Sequence, residues 1–350
     1  IIFTLATTSI QVYLDFKKDD FINKSVDSFP VLELKERMSS VRNYLKEYLP
    51  NDYVQAIDIL TKAMDIRTGG GFIYGSVLEY VEVYGCTDEY VDVSLEKLGE
   101  WTDSLSSEFA IRPFLNNYPE ETMKKVMEWT TSEDVHKRRL ASEGTRPSLP
   151  WAMKISLNYK DAAQPLDNLY YDQERYVTRS VANHLNDISK IDPSYVLGTL
   201  RKWKKENKQE SKELEYMMSH SLRTLVKKGH PDTLEFLGYK LSPKVEVVDF
   251  ALKEETIHIG DSLDFAFTIN SKDTCKVVVD YIVKYPSTTK KVPTKTYKLK
   301  ALDIEKNKTY DLKGKRSFKK ISTRKMRPGI HTIEIQINGQ IFLEKTFNVI

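Results

Sequence analysis

RRLASEGTRPSLPW, Arg138–Trp151, and RSVANHLNDISK, Arg179–Lys190, stand about 41 residues apart and share arginines, isolated carboxylates and small apolar residues. One further step of the same length reaches LRTLVKKG, so Leu140, Val181 and Leu222 occupy equivalent places. A period near 41, with apolar residues recurring every three or four positions, is the pattern of paired helices. One pair cannot bury its apolar stripe alone. Stacked pairs can, and they form a curved solenoid whose concave face is lined by the second helix of each pair. Both motifs fall on second helices, at Arg138–Glu143 and Arg179–Asp187.

The same helical spacing runs through VLELKERMSSVRNYLKEYL, DYVQAIDILTKAM, SVLEYVEVYG, EETMKKVMEWT, SYVLGTLRKW and ELEYMMSHSLRTLVKKG. Pro50–Asn51–Asp52, Pro119, Pro193 and Gly229–His230–Pro231 supply the starts and stops. Residues 1–242 are therefore expected to form an all-α unit of HEAT-like repeats. After Ser242–Pro243 the period falls to two. KVEVVDFAL, ETIHIG, SLDFAFTINS, KVVVDYIVKY, KTYKLKAL, HTIEIQIN and QIFLEKTFNVI read as seven strands, with Asn338–Gly339 a strong hairpin signal. Residues 243–350 are expected to form an all-β immunoglobulin-like sandwich, making the chain multidomain.

Bulk properties exclude several classes. Hydrophobic residues make up 40% and charged residues 29% of the 350, and no run of about 18 apolar residues could span a bilayer. The opening IIFTLATTSI lacks a basic flank and reads as a strand, a helix start or a chain boundary rather than a signal peptide. Cys86 and Cys275 show neither disulfide nor zinc spacing, so no metal or cofactor is indicated and a reducing cytoplasm fits. From Lys244 onward 21 Lys and Arg face 13 Asp and Glu, net +8, which leaves residues 1–243 at −5. A basic module beside arginine clusters is compatible with nucleic acid. The run Lys313–Arg327 is a candidate for phosphate contact or a solvated loop.

Among chemical motifs there is no phosphate cradle, nucleophile elbow or metalloprotease signature, and Thr68–Gly71 reads as a turn. What remains is carboxylate chemistry supported by arginines and aromatic faces. Helical continuation places Arg179, Asn183 and Asp187 at successive i+4 steps. Asp187 could equally finish a helix or pair with Arg179, and Glu108 could pair with Arg112. Glu143 stands before Gly144, where a helix should end and where the macrodipole disfavours a carboxylate lacking a partner or a task. Trp151, after Pro150 at the expected start of the next helix, suits either core packing or a groove.

SEFAIRPF, HKRRLASEGTRPSLPWA, RSVANHLNDISK and LRTLVKKG together resemble the AlkC-type alkylpurine DNA glycosylases in order and spacing, over roughly residues 50–240 with an appended β-sandwich. That resemblance implies a DNA repair enzyme that excises cationic N3-alkylated bases, 3-methyladenine and 3-methylcytosine, from duplex DNA without drawing them into a deep pocket. It implies Asp187, Glu108, Glu143 and Trp151 as catalytic residues around the deoxyribose. Arg138, Arg139, Arg146, Arg179 and Lys190 would hold phosphates, and the sandwich would clamp DNA. Lys137 departs from the pattern, because an apolar residue is expected before the RR pair. A monomer acting on nucleoid DNA in the bacterial cytoplasm is implied. The rival from another class is a non-catalytic HEAT-like scaffold or DNA-binding protein, in which the same Arg and Trp residues anchor a partner. For catalysis Asp187 and Glu108 must converge; side chains turned apart, or sealed in separate ion pairs, would leave only a curved adaptor.

Overall fold

A computed structural model describes residues 2–66, 71–287, 290, 292–319 and 327–350. The chain divides into two compact units, residues 1–191 with 200–221, and residues 192–199 with 222–350. Among the described residues no helix is long and apolar enough to cross a membrane.

The first unit is helical, as the 3.6-residue periodicity requires. Its starts are set by local chemistry. Asp52 accepts from the Gln55 amide at 2.8 Å to open Tyr53–Asp65, and Asp134 accepts from the His136 amide at 2.7 Å to open Val135–Glu143. Pro119 occupies the first turn of Pro119–Trp129, where its missing N–H costs nothing. Glu33 and Glu36 form a capping box at the start of Leu34–Tyr48. The opening segment is a helix, Ile2–Val12, that buries Ile2, Leu5 and Ala6. Successive helices pack as neighbours: Leu34–Tyr48 on Tyr74–Tyr84, Pro119–Trp129 on Val135–Glu143, Val135–Glu143 on Arg175–Ile188, and Arg175–Ile188 on Ser211–Ser221. The repeat is visible in the bonds that cross between pairs, since Arg146 to Asp187 and Arg112 to Met153 each span 41 residues.

In the second unit eight strands are described: β1 (Val245–Leu252), β2 (Thr256–Ile257), β3 (Ser262–Ser271), β4 (Cys275–Lys284), β5 (Thr294–Ile304), β6 (Thr309–Ser317), β7 (Gly329–Ile337) and β8 (Gln340–Val349). They form a three-stranded sheet, β1-β3-β6, and a five-stranded sheet, β2-β8-β7-β4-β5. Alternate residues of β3, including Leu263, Phe265, Phe267 and Ile269, meet Val277, Val279, Ile333 and Ile335 from the other sheet in one core. Gly314 on β6 leaves room for the Phe265 ring, which a Cβ there would meet at 2.1 Å. Strand β6 corrects the expectation for Lys313–Arg327. Its first residues alternate within a sheet, with Leu312 inward and the lysines outward, so charge on the exposed face masked the period. Residues 320–326 of that run, and 68–70 of the expected turn at Thr68–Gly71, lie outside the described residues.

Asn338 and Gly339 turn the β7–β8 hairpin with φ of 47° and 84°, the pair of positive values that a two-residue type I′ turn needs. The Asn338 side chain accepts from the Val278 amide at 2.7 Å and donates to the Lys240 carbonyl at 2.7 Å. Gln336 donates to the Lys227 carbonyl at 3.0 Å, and a Cβ on Gly229 would lie 2.6 Å from the Gly339 Cα. These contacts tie residues 227–240 to the strands, across the period change after Ser242–Pro243.

Candidate active site

The turn 106–111, the helix Val135–Glu143 with the residues that follow it, and the helix Arg175–Ile188 bring the expected carboxylates into one network. Glu108 Oε2 accepts from Arg139 and, at 3.0 Å, from the Ser106 hydroxyl. The other end of the Arg139 guanidinium lies 3.5 Å from Glu143 Oε1. That oxygen takes a 2.5 Å bond from Arg146, whose Nε donates to Asp187 Oδ2 at 2.9 Å. Lys190 closes the series, 2.9 Å from Asp187 Oδ1. Asp187 and Glu108 are both ion-paired, but as ends of a single alternating chain running through Arg139, Glu143 and Arg146.

Burial makes this arrangement informative. Asp187 is 2% exposed, Glu143 5% and Arg146 8%, and charges so far from water persist only when paired and hydrogen-bonded. Burial works against the Arg146 charge, yet Glu143 and Asp187 outweigh it and hold the guanidinium above its ordinary value. Glu143 lies at the last turn of its helix, where the dipole is unfavourable, and Arg146, one turn on, supplies the partner that position needs.

Arg112 forms no ion pair with Glu108. It is 1% exposed and donates to three backbone carbonyls: Gly144 at 3.1 Å, Arg146 at 3.0 Å and Met153 at 2.5 Å. Burial, with the like charge of Arg146 nearby, lowers its guanidinium to about 10. This one side chain fixes the backbone on either side of Trp151. The tryptophan does not start a helix and does not enter the core; it is 81% exposed in a turn, with φ of 64°. That conformation costs a residue with a Cβ about 1–2 kcal/mol. It is held by the Lys35 ammonium, which donates to the Trp151 carbonyl at 2.7 Å, and by Asn116, bonded to the Lys154 carbonyl and the Ser156 amide.

The remaining basic candidates divide. Arg138 is engaged within the fold, forked onto Asp172 at 2.6 and 3.2 Å and bonded to the carbonyls of Ser132 and Glu133. Arg139 also lies over the Tyr176 ring at 5.4 Å. Arg179 is exposed, and Lys190 is 41% exposed beside Asp187.

Arg179, Asn183 and Asp187 do not present together, because the first is exposed, the second half-buried and the third buried. The inward face is instead Ser180, His184 and Asp187, at i, i+4 and i+7. Ser180 Oγ donates to Glu143 Oε2 at 2.6 Å, and His184 Nδ1 donates to the Ser142 carbonyl at 3.0 Å. The His184 Nε2 is buried with no partner among the described residues, and burial lowers the ring to about 4, so it stays neutral. Small size at 180 and 142 was the available signal.

Comparison with known proteins follows the same division of the chain. Residues 91–224 match the family model described as DNA alkylation repair enzyme, and residues 246–350 match that of the YhaZ C-terminal Ig-like domain. The chain is 35% identical over 334 residues to the uncharacterized protein YhaZ of Bacillus subtilis (strain 168), covering 94% of this chain and 91% of that protein. It is also similar to the solved structure of Pseudomonas fluorescens alkylpurine DNA glycosylase AlkC bound to DNA containing an abasic site analog. There the identity is 30% and the TM-score 0.90, with 99% of this chain and 96% of that one covered.

Proposed function

This chain belongs to the AlkC-type family of DNA alkylation repair enzymes with a C-terminal Ig-like domain, and from that premise we propose that it is a DNA glycosylase. Its substrates are cationic N3-alkylated bases in duplex DNA, 3-methyladenine and 3-methylcytosine. The observation that carries this reading is the chain of Glu108, Glu143 and Asp187 alternating with Arg139 and Arg146, half-buried at Glu108 and Arg139 and buried from Glu143 to Asp187, next to an exposed tryptophan whose turn Arg112 holds.

The chemistry follows from the lesion. Alkylation at N3 makes the base a cation, so the glycosidic bond is already weak and the base departs with the bonding pair without needing a proton. The difficult species is the oxocarbenium-like sugar. A carboxylate fixed beside C1′ in a poorly solvated groove stabilises that positive charge, and pre-placed groups of this kind contribute about 3–4 kcal/mol each. Water then adds at C1′ and gives its proton to a carboxylate. Asp187 is well placed for this role because Arg146 holds one oxygen while the other is paired with the half-exposed Lys190. A DNA phosphate that draws Lys190 away frees Oδ1. Trp151 lies against the sugar or base and adds roughly 0.5–2 kcal/mol of cation–π attraction. Arg179 and Lys190 take flanking phosphates, which sets register without reading sequence. Arg138, Arg139 and Arg146 are tied to carboxylates and shape the site. The β unit, carrying the basic excess, clamps the duplex as part of a monomer.

Incubating the protein with methylated duplex DNA and assaying free base tests this. Released 3-methyladenine and an intact abasic strand are expected. Salt-sensitive DNA binding with no released base would leave a DNA-binding scaffold.

A further inference from the structure

Beside the ionic network lies a hollow of 230 Å³ that the mechanism above does not use. Its walls come from the helices Leu34–Tyr48 and Tyr74–Tyr84, the segment 105–110 and the turn 151–153. It adjoins the candidate site directly, since Ser106 lines it and donates to Glu108, while Phe109 and Ala110 follow Glu108 in the chain.

The lining is chemically specific. Met38, Phe109, Trp151 and Met153 offer flat and polarisable apolar surface, of the kind that packs on aromatic rings. Against them stand two carboxyl groups, Glu79 and Glu82. Glu79 Oε1 is bonded to Ser39 at 2.7 Å and lies 3.2 Å from Arg42, but its Oε2 is buried with no partner among the described residues. A buried acceptor left without a donor is costly. Burial and the neighbouring Glu79 push the Glu82 carboxyl to about 7, against the pull of Arg42 and Lys35. At neutral pH it is therefore partly protonated, and its acid form can both donate and accept a hydrogen bond. A planar ring bearing an amino group next to a ring nitrogen matches the Glu82 carboxyl, which in its acid form accepts from the amino group and donates to the ring nitrogen. The volume lies below the roughly 300–1,000 Å³ of pockets for larger ligands and suits a single base.

We propose that this hollow receives the alkylated base after its bond to the sugar is cut, with Glu82 binding its amino edge. The proposal rests on the glycosylase reading. It requires no extrusion before cleavage, only that the departing ring move from Glu108 past Ser106 to Phe109.

The test is equilibrium dialysis of the full-length chain against free 3-methyladenine, with base release from methylated DNA measured in parallel. Wild type is expected to bind the free base saturably and to be inhibited by it during excision. Glu82→Leu should weaken that binding at least tenfold, and Met153→Trp, which crowds the hollow from a half-exposed position, should do the same. Failure of wild type to bind, or binding undiminished in both folded variants, overturns the hollow even if excision is robust. Binding that is lost in both variants, in a protein that excises nothing, keeps the hollow and removes the glycosylase reading.

Discussion

The guanidinium of Arg112 donates to the main-chain carbonyl of Arg146 at 3.0 Å, so one buried arginine sets the backbone of another that grips both Glu143 and Asp187. The same group reaches Met153, two residues beyond Trp151. Positive charge is thus used twice, once to orient carboxylates and once to hold the turn that presents the aromatic ring.

Replacing Arg112 should damage stability and site geometry together. Arg112→Met leaves three carbonyls without their donor, two of them buried and that of Met153 part-buried, a loss of about 3–5 kcal/mol. Thermal unfolding of the variant should begin roughly 10 °C lower than wild type. Arg112→Lys should not restore it, because a point ammonium cannot serve three carbonyls in the directions of a planar fork. An unchanged melting profile for both variants would show that the three bonds are not made in solution.

Asp187→Asn and Glu108→Gln keep size while removing charge; the glutamine at 108 can still accept on one oxygen, whereas the asparagine at 187 turns one of two accepting oxygens into an NH2 donor. Each is expected to slow base release about 10²–10³-fold, the loss produced by removing one pre-placed electrostatic group. Binding to an abasic-site duplex should hold or tighten, since a carboxylate that repels phosphate is gone. Circular dichroism separates this from unfolding, which is a real concern because Asp187 balances Arg146 and Lys190. Excision at wild-type rate in both variants would remove these residues from the catalytic assignment.

Selectivity should follow charge on the base. A neutral lesion such as 1,N6-ethenoadenine lacks both the weakened glycosidic bond and the cation–π attraction of Trp151. Single-turnover release of 3-methyladenine is expected to exceed it by at least about 10²-fold, equivalent to roughly 3 kcal/mol in the barrier. Equal rates would mean that the carboxylates act by some means other than stabilising a cation.

The fold and the carboxylates were legible in the sequence because both are written locally. The three-to-two change of period after Ser242–Pro243 marks the change of architecture, and the 41-residue repeat of arginine and carboxylate reappears as the Arg146–Asp187 bond. Three things were not legible. Strand β6 was hidden because exposed lysines and Gly314 break its apolar alternation. The role of Arg112 depends on carbonyls more than 30 residues away, whereas sequence spacing offered only Glu108 as a partner. Trp151 looked like a helix start because Pro150 precedes it, but the turn in which it takes a positive φ is held by distant side chains, Lys35 and Arg112 among them.

The β unit should carry its own pH response through Asp280 on β4. That carboxyl is 1% exposed, and neither of its oxygens has a partner among the described residues. Burial raises it from 3.8 to about 6, with Lys227 and Lys298 pulling the other way without prevailing. A raised carboxyl binds its proton more tightly in the folded than in the unfolded chain. Its contribution to stability is therefore greatest below about pH 4 and declines as pH rises toward 6, by about 3 kcal/mol in all. Above pH 6 the fold bears a buried, unpartnered negative charge. Asp280→Asn removes that charge and should stabilise the β unit by about 2–3 kcal/mol at pH 7.5, yet change little at pH 3, where the folded and the unfolded wild-type chain both hold the proton. Hydrogen exchange along β4 in the full-length protein at the two pH values measures this difference. A variant-minus-wild-type gap that is the same at both would mean that Asp280 finds a partner in solution and titrates normally.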